Sequence, residues 1–244
     1  MIRSIRVLGA ISWHYVSLTA RRNKYSVEDK EYDKEKKKLY RKEVFLMMKE
    51  LSNRMIKAAD TEVIVQGKEN LPKEGPVLYM ATHKGQYDSF VLASLLEDTP
   101  IFIGKEEMKK MPIFSKWFNA MGCIYLARDD MKQSMQAILE GIKELQGGQS
   151  IVIYPEGTRS KSTEMGEFKA GSFKLATKSK VPIVPIAIQN THKVLEETGR
   201  IQKATVYVNI GKPIETKDLS SQEQKELPKK VQAYVEELLK EVTH

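Results

Sequence analysis

A histidine and an aspartate five residues apart are the first pair of side chains suited to chemistry. His83 follows the apolar run Val77–Thr82, and Asp88 opens the predicted helix Ser89–Leu96. Gly85 lies between them and permits a tight turn that brings the carboxylate back toward the imidazole. A carboxylate on one ring nitrogen fixes the tautomer and leaves the other nitrogen free to act as a general base. The alternative is that Asp88 only caps the helix.

A second polar loop follows another apolar run. Ile151–Ile153 precedes the sequence Tyr-Pro-Glu-Gly-Thr-Arg-Ser at residues 154–160. Arg159 offers a planar set of donors that suits a phosphate group, and Gly157 allows close backbone approach. Glu156 can accept hydrogen bonds from substrate hydroxyls or orient a base. The alternative for Arg159 is an ion pair with Glu156.

The charge of the chain restricts its partners. The 244 residues carry a formal net charge of +8, and the sequence pI is about 9.3. These values favour an anionic partner, which could be nucleic acid, an anionic bilayer surface or a phosphorylated substrate. A nucleic-acid binder needs clustered basic and aromatic residues on one surface, and no such cluster is evident. We therefore expect no nucleic-acid partner.

Cysteine and histidine usage argues against a cofactor. The single cysteine, Cys123, excludes an internal disulfide and a Cys-rich zinc site, which suits a reducing compartment or a cytoplasmic membrane face. The four histidines show no metal-ligand spacing; they are His14, His83, His192 and His244. The sequence predicts neither a metal nor another cofactor.

Short apolar runs alternate with helical patterns after Asp60, which predicts an α/β fold with a central, largely parallel or mixed sheet flanked by helices. The candidate strands are Glu62–Gln66, Val77–Thr82, Ile101–Ile103, Cys123–Leu126, Ile151–Tyr154, Ile183–Ile188 and Thr205–Ile210. The candidate helices are Ser89–Leu96, Ile113–Ala120, Met131–Leu145, Phe168–Ser179 and Gln222–Val242. We predict a single α/β domain over residues 61–244, preceded by a helical segment over residues 1–60.

Two helices are predicted in the N-terminal segment. The apolar stretch Val7–Ala20 is interrupted by polar residues and is shorter than the ~20 residues of a spanning helix. Arg3 and Arg6 lie on its basic side, while the opposite side carries Ile5, Leu8, Ile11, Tyr15 and Leu18. This pattern favours a helix in an anionic membrane interface, although a helix docked on the core is the alternative. The charged run Glu28–Lys42 is expected to be the solvated face of the second helix.

Three segments together resemble a known family. The motif Asn/Thr-His-x4-Asp is matched by Thr82, His83 and Asp88, and the block Phe/Tyr-Pro-Glu-Gly-Thr-Arg-Ser by residues 154–160. A later Val-Pro-Ile-x-Pro-x-x-Ile block is matched by Val181–Pro185 and Ile188. The sequence therefore resembles the glycerolipid acyltransferase family, which includes 1-acylglycerol-3-phosphate acyltransferases.

A further block of that family is matched less completely. Its matching residues are Lys105, Pro112, Gly122, Ile124 and Arg128. The glycine that commonly follows the proline is absent from Pro-Ile-Phe-Ser at residues 112–115. The apolar residues of 111–118 could contact acyl chains or the bilayer, and burial in the core is the alternative.

The resemblance implies a direct acyl transfer. His83, assisted by Asp88, would deprotonate the acceptor hydroxyl, which attacks the thioester of acyl-coenzyme A or acyl-acyl carrier protein. Arg159 and Lys105 would bind the phosphate of lysophosphatidic acid, and Glu156, with Gly157 and Thr158 beside it, would contact the glycerol portion or support the loop. No acyl-enzyme forms, so Cys123 is expected to be a buried packing residue.

The resemblance also implies a location and leaves alternatives. We expect a peripheral or monotopic protein of the cell membrane with its active site on the cytoplasmic side. Glycerol 3-phosphate or another lysophospholipid is an alternative acceptor. The non-enzymatic alternative is a peripheral membrane protein that binds anionic lipid.

Overall fold

The described residues form one mixed sheet covered by helices. The computed structural model describes residues 2–24, 34–127, 129–160 and 164–242, without the side chains of 14, 15, 17–24, 34, 112 and 113. The strands are β1 Glu62–Gln66, β2 Leu78–Ala81, β3 Ile101–Lys105, β4 Ile124–Leu126, β5 Ile151–Ile153, β6 Ile183–Gln189 and β7 Thr205–Ile210. Their order is β1-β7-β6-β2-β5-β3-β4, and the β6–β7 pair alone is antiparallel in this sheet. All predicted strands are present, and the predicted mixed sheet is confirmed.

Helices lie on both faces of the sheet. They are α1 Ile2–Lys24, α2 Lys34–Ala58, α3 Tyr87–Leu95, α4 Pro112–Ala120, α5 Met131–Gln146, α6 Lys174–Ser179 and α7 Ser221–Glu241. The α3 and α4 connections step across the sheet in one direction, whereas α5 and α6 step back in the other. Right-handed crossovers therefore place the two pairs on opposite faces. Consistent with this, α2 packs on α3 and α4, and α5 packs on α6.

The central strands are buried on both faces, which explains their continuous apolar sequences. Every residue of β2, β5 and β6 is buried. The parallel strands β2, β3 and β5 end at the same edge of the sheet. The polar segments predicted to carry chemistry follow these ends, as is typical of ligand sites in open α/β sheets.

Two helices near the site differ from the prediction, while the boundaries of α4, α5 and α7 shift by one residue. Helix α3 begins at Tyr87, so Asp88 lies in its first turn rather than before it. The predicted helix Phe168–Ser179 is replaced by an irregular stretch, a 3-10 turn at Ala170–Phe173 and the short α6. The backbone N–H groups of Gly166, Phe168 and Lys169 donate to Glu156, Gln232 and Pro155. These hydrogen bonds attach the start of the segment to the loop at residues 154–160 and to α7.

The two predicted N-terminal helices are present, with α1 packed on α2. Val7 of α1 is buried, whereas Arg3 and Arg6 form ion pairs with Asp60 at 2.9 and 3.1 Å. Arg3 and Arg6 therefore contact Asp60 at the edge of the protein while their side chains remain partly exposed. Its exposed face is apolar and contains Ile2, Ile5, Leu8, Trp13 and Val16.

The charged residues at the start of α2 were predicted to be solvated, and neither N-terminal helix was predicted to span a membrane. The first residues of the charged run Glu28–Lys42 lie outside the described residues, and residues 35–39 are exposed as predicted. Arg41 is buried instead, because its guanidinium group forms an ion pair with Glu144 at 2.6 Å, so the prediction of a solvated face is wrong at this residue. Among the helices that the structure describes, we find none whose length and apolar character would suit a membrane span.

Candidate active site

A cleft of about 930 Å³ opens at the carboxyl ends of β2, β3 and β5. Its polar wall contains the predicted site residues His83, Lys105, Glu156, Gly157, Thr158 and Arg159. Much of the remaining wall is apolar and includes Phe45, Met48, Phe90, Phe102, Met108, Met111, Phe114, Trp117, Phe118, Ile138 and Ile153. The sequence thus predicted residues that the fold brings to one cleft, and Asp88 lies directly behind them.

The imidazole of His83 is held by Asp88. The distance from His83 Nδ1 to Asp88 Oδ2 is 2.7 Å, and the carboxylate is fully buried while the ring is 18% exposed. A carboxylate only accepts hydrogen bonds, so Nδ1 carries the proton. The other nitrogen, Nε2, then has a free lone pair in a ring that lines the cleft. This is the arrangement of a general base.

Asp88 also organises the turn that contains His83. Its Oδ2 accepts the backbone N–H groups of Lys84 and Gly85 at 2.7 and 2.9 Å. The hydroxyl of Thr191 donates to Oδ1. The two backbone donors precede α3, so Asp88 closes the turn instead of simply capping the helix. The turn fixes the carboxylate and the imidazole relative to each other.

Gly85 is required for space and not for an unusual backbone angle. It is absent from the residues with positive φ, which differs from the predicted reason for a glycine here. A Cβ on Gly85 would lie 2.9 Å from the backbone nitrogen of His192 and 3.0 Å from the carbonyl carbon of Thr191. The segment after β6 therefore packs directly on the His83–Asp88 turn.

Tyr154 fixes the plane of the imidazole. Its ring stacks on His83 with centroids 4.1 Å apart and an interplanar angle of 14°. Its hydroxyl lies 2.8 Å from the Ser89 hydroxyl, and burial raises the pKa of Tyr154 well above its usual value. The phenol is consequently neutral and serves as a rigid support.

Both carboxylate oxygens of Glu156 accept hydrogen bonds from backbone N–H groups. Its Oε1 accepts the N–H of His83 at 2.7 Å, and its Oε2 accepts the N–H of Gly166 at 2.7 Å. The residue is 4% exposed, and burial raises the pKa of its carboxyl despite these hydrogen bonds. Ser160 N–H donates to the His83 carbonyl at 2.8 Å, so the loop holds both polar backbone groups of His83. Of the two roles predicted for Glu156, this geometry favours loop support.

Lys84 is a further buried link that the sequence analysis missed. Its ammonium group donates to the Glu164 carbonyl at 2.5 Å. Burial lowers the pKa of Lys84, although the nearby carboxylates of Glu156, Asp88 and Glu164 oppose this shift. The contact ties the His83–Asp88 turn to the same loop that Glu156 holds.

Arg159 lies in the cleft wall and forms an ion pair with an unexpected partner. Its Nη1 is 3.0 Å from Glu196 Oε1, so the predicted alternative of a pair with Glu156 is wrong. Gly157 precedes it with φ of 74°, a left-handed conformation that favours glycine, and Thr158 is exposed to the cleft. The guanidinium group has five N–H donors, so one ion pair leaves donors for an anion.

Lys105 is the last residue of β3 and is exposed in the cleft wall. It shares this cleft with Arg159, so both predicted phosphate ligands face one volume. Arg128 of the same predicted block lies outside the described residues.

Cys123 is unsuited to act as a nucleophile. It is buried, its sulfur accepts the Phe102 N–H at 3.3 Å, and burial raises the pKa of its thiol to about 12. Thiolate is the reactive form, so the thiol is inert at neutral pH. The predicted packing role fits these contacts.

The Val181–Pro185 block leads into β6, which begins at Ile183, and is largely buried. Ile188 N–H donates to Thr82 Oγ1 at 2.8 Å, and the Thr82 hydroxyl donates to the Ile188 carbonyl at 2.9 Å. This exchange fixes the end of β2, where His83 begins. The block shapes the site through packing.

Thr191 and Glu196 are the functional-site residues that sequence reasoning missed most clearly. Thr191 contacts Asp88 across 103 residues, and Glu196 contacts Arg159 across 37 residues. Neither belongs to a recognised block, and their partners are set by the strand order. The sequence offers no local signal that would have assigned them.

Replacing Glu156 with glutamine should lower stability as well as disturb the site. An amide would present one NH2 group to a backbone donor in place of an acceptor, leaving a buried hydrogen bond unmade. We expect Glu156→Gln to lose about 1–3 kcal/mol in the free energy of unfolding, measured by chemical denaturation. Glu167→Gln, at an exposed carboxylate of the same loop, is the matched control and should be neutral. Equal stability of both variants would contradict loop support by Glu156.

Comparison with known proteins gives consistent matches. The family model described as Acyltransferase matches residues 62–189, which include all four of the blocks noted in the sequence. A 1-acyl-sn-glycerol-3-phosphate acyltransferase from Saccharomyces cerevisiae is 32% identical over 74% of this chain and 61% of its own length. A chloroplastic enzyme of the same name from Brassica napus, BAT2, is 34% identical over 62% of this chain and 44% of its own length. The match thus spans less than two thirds of either relative.

A solved structure extends the similarity to the whole chain. The crystal structure of the 1-acyl-sn-glycerophosphate (LPA) acyltransferase PlsC from Thermotoga maritima has a TM-score of 0.76 and 25% identity. The similarity covers 99% of this chain and 98% of that protein. The family model covers more than half of the chain and contains the His83–Asp88 pair and the loop at residues 154–160. The protein belongs to the acyltransferase family.

Proposed function

We propose that this protein transfers a fatty acyl group from acyl-coenzyme A or acyl-acyl carrier protein to the sn-2 hydroxyl of 1-acyl-sn-glycerol 3-phosphate. The product is phosphatidic acid. The observation that carries the proposal is one cleft that combines the His83 base, the cations Arg159 and Lys105, and a large apolar wall. The names of the relatives support the same acceptor.

The reaction is a direct displacement at the thioester. His83 Nε2 removes the proton from the acceptor hydroxyl, and the oxygen forms a bond to the thioester carbonyl carbon. The tetrahedral intermediate collapses as the carbon–sulfur bond breaks, and the imidazolium returns the proton to the leaving thiolate. The products are an ester and a free thiol. Asp88 holds the ring orientation and stabilises the imidazolium while it is charged.

The acceptor phosphate binds to Arg159, with Lys105 as the second cation. Arg159 is 32% exposed in the side chain, so it is reachable from the cleft. A guanidinium group can form paired charged hydrogen bonds to a phosphate, whereas an ammonium group acts as a point charge. The apolar wall accommodates acyl chains, because burial of each CH2 group contributes about 0.8 kcal/mol.

The function is tested by acyl transfer from palmitoyl-coenzyme A and palmitoyl-acyl carrier protein to a panel of acceptors. The panel contains 1-acyl-sn-glycerol 3-phosphate, glycerol 3-phosphate and lysophosphatidylcholine. We expect the first acceptor to give the highest kcat/KM. His83→Ala should lower transfer by about 100-fold or more because the base is lost, and Asp88→Asn should lose most activity. Wild-type turnover by folded His83→Ala protein would remove His83 from the mechanism.

Substitutions of Arg159 should separate the two substrates. Arg159→Ala should raise the acceptor KM or lower kcat/KM by about 1.5–3 kcal/mol, the range for hydrogen bonds to charged groups. Arg159→Lys should fall between this variant and the wild type. The thioester KM should change much less when the two substrates are varied separately. Weakened donor binding with an unchanged acceptor KM would assign Arg159 to the carrier instead.

We further propose that α1 and α2 attach the protein peripherally or monotopically to the cell membrane. The support is the apolar face of α1, where Ile5, Leu8 and Trp13 are 61%, 63% and 64% exposed. Helices of this kind bury such a face in the headgroup boundary. The cleft would open on the cytoplasmic side, where soluble thioesters are present, and the basic chain would favour an anionic surface.

Polar substitutions on α1 should weaken membrane binding without unfolding the protein. The triple variant Ile5→Gln, Leu8→Gln and Trp13→Gln removes exposed apolar side chains, so its thermal stability should be close to that of the wild type. We expect its cosedimentation with anionic liposomes to decrease severalfold. Leu139→Gln, at a 58% exposed leucine of α5, is the matched control. Undiminished cosedimentation of the triple variant would place the anchor elsewhere, with residues 111–118 as the next candidate.

A further inference from the structure

We propose that Glu196 is a positioning residue that couples acceptor-phosphate binding at Arg159 to the placement of the His83–Asp88 turn. The inference rests on the proposed function and adds a residue beyond the matched family segment, which ends at residue 189. Glu196 does not line the cleft among the described residues. It therefore acts through the residues it holds.

One oxygen of Glu196 serves both parts of the site. Its Oε1 accepts the backbone N–H of Gln86 at 2.7 Å and lies 3.0 Å from Arg159 Nη1. The side chain is 9% exposed, so solvent contributes little to its hydrogen bonding. Gln86 lies between His83 and Asp88 in the chain. The carboxylate is therefore a direct bridge between the turn that carries the base and the cation that binds phosphate.

The packing around Glu196 makes this bridge stiff. A Cβ on Gly85 would lie 3.0 Å from Glu196 Oε2 and 2.9 Å from the backbone nitrogen of His192. The Thr191 hydroxyl donates to Asp88 Oδ1 at the start of the same segment. The segment at residues 191–196 thus contacts the turn at a backbone amide, at a glycine and at the Asp88 carboxylate. Movement of the segment is transmitted to the base.

The shared oxygen gives the coupling a physical cause. A phosphate in the cleft competes with Glu196 Oε1 for the N–H donors of Arg159. Phosphate binding therefore weakens the hydrogen bond between Arg159 and Glu196. The same oxygen then interacts differently with the Gln86 N–H. Linkage is reciprocal, so a well-placed turn favours the phosphate-binding orientation of Arg159 to the same extent. A substrate with a phosphate would thereby improve the position of His83.

The first test compares three variants of the segment by steady-state kinetics. Glu196→Ala removes both contacts and should lower kcat/KM for the phosphate acceptor by about 10- to 100-fold, through both kcat and KM. Glu196→Gln keeps an oxygen for the Gln86 N–H but loses the charge opposite Arg159, so it should retain more kcat than Glu196→Ala. Glu197→Ala removes an exposed carboxylate from the adjacent position and should match the wild type. The thioester KM should be unchanged in all three.

A double-mutant cycle separates coupling from a general loss of structure. In an Arg159→Ala background, Glu196→Ala should raise the acceptor KM by less than about twofold, because its guanidinium partner is already absent. Its effect on kcat should persist, because the Gln86 contact is still lost. Independent, multiplicative effects of the two substitutions on the acceptor KM would overturn the coupling.

Amide hydrogen exchange provides a readout that does not require turnover. Glu196→Ala should increase exchange at the Gln86 amide by about tenfold or more, while Glu197→Ala should not. Unchanged exchange at Gln86 in folded Glu196→Ala protein would overturn the inference whatever the substrate is. If the wild-type protein transferred no acyl group to lysophosphatidic acid, the proposed function would be overturned instead. The hydrogen-exchange result would still decide the role of Glu196.

Discussion

The buried carboxylate of Asp88 is the group on which the rest of the site depends. It is completely removed from solvent and receives hydrogen bonds from His83 Nδ1, two backbone amides and the Thr191 hydroxyl. Removing an ionised carboxylate from water costs several kcal/mol, which only well-placed donors can offset. The turn, the imidazole and the segment after β6 must therefore meet at one point. An imidazole in a fixed orientation is the consequence.

Two further carboxylates extend this constraint away from the cleft. Glu156 holds the His83 and Gly166 amides, and Glu196 holds the Gln86 amide and the Arg159 guanidinium group. Glu156 itself lines the cleft and Glu196 does not, while His83 and Arg159, which they hold, both line it. Asp88 and Glu156 accept hydrogen bonds from protein donors on both carboxylate oxygens, whereas Glu196 Oε2 is buried without a hydrogen-bond partner among the described residues.

Much of this architecture could be predicted because the relevant signals are local. Apolar runs predicted the strands, and the residue spacing predicted that His83 and Asp88 would meet. The ion-pair partner of Arg159 could not be predicted. Glu196 belongs to no motif, and it meets Arg159 only because the segment after β6 folds back over the loop at residues 154–160. The role of Glu156 was left open because carboxylates accept bonds from substrate and backbone equally well. The sequence also could not predict that Arg3 and Arg6 of α1 pair with Asp60, because that residue is more than fifty positions away in the chain.

The central claim is that acyl transfer is direct, with His83 as base and no acyl-enzyme. The most direct test is intact-protein mass spectrometry after rapid quenching, with acyl-thioester supplied in excess and the acceptor omitted. The inert, buried thiol of Cys123 and direct transfer to the acceptor predict unmodified protein at all times before acceptor is present, and rapid ester formation once lysophosphatidic acid is added. A mass increase of one acyl group that forms without acceptor and disappears when acceptor is added would contradict the account.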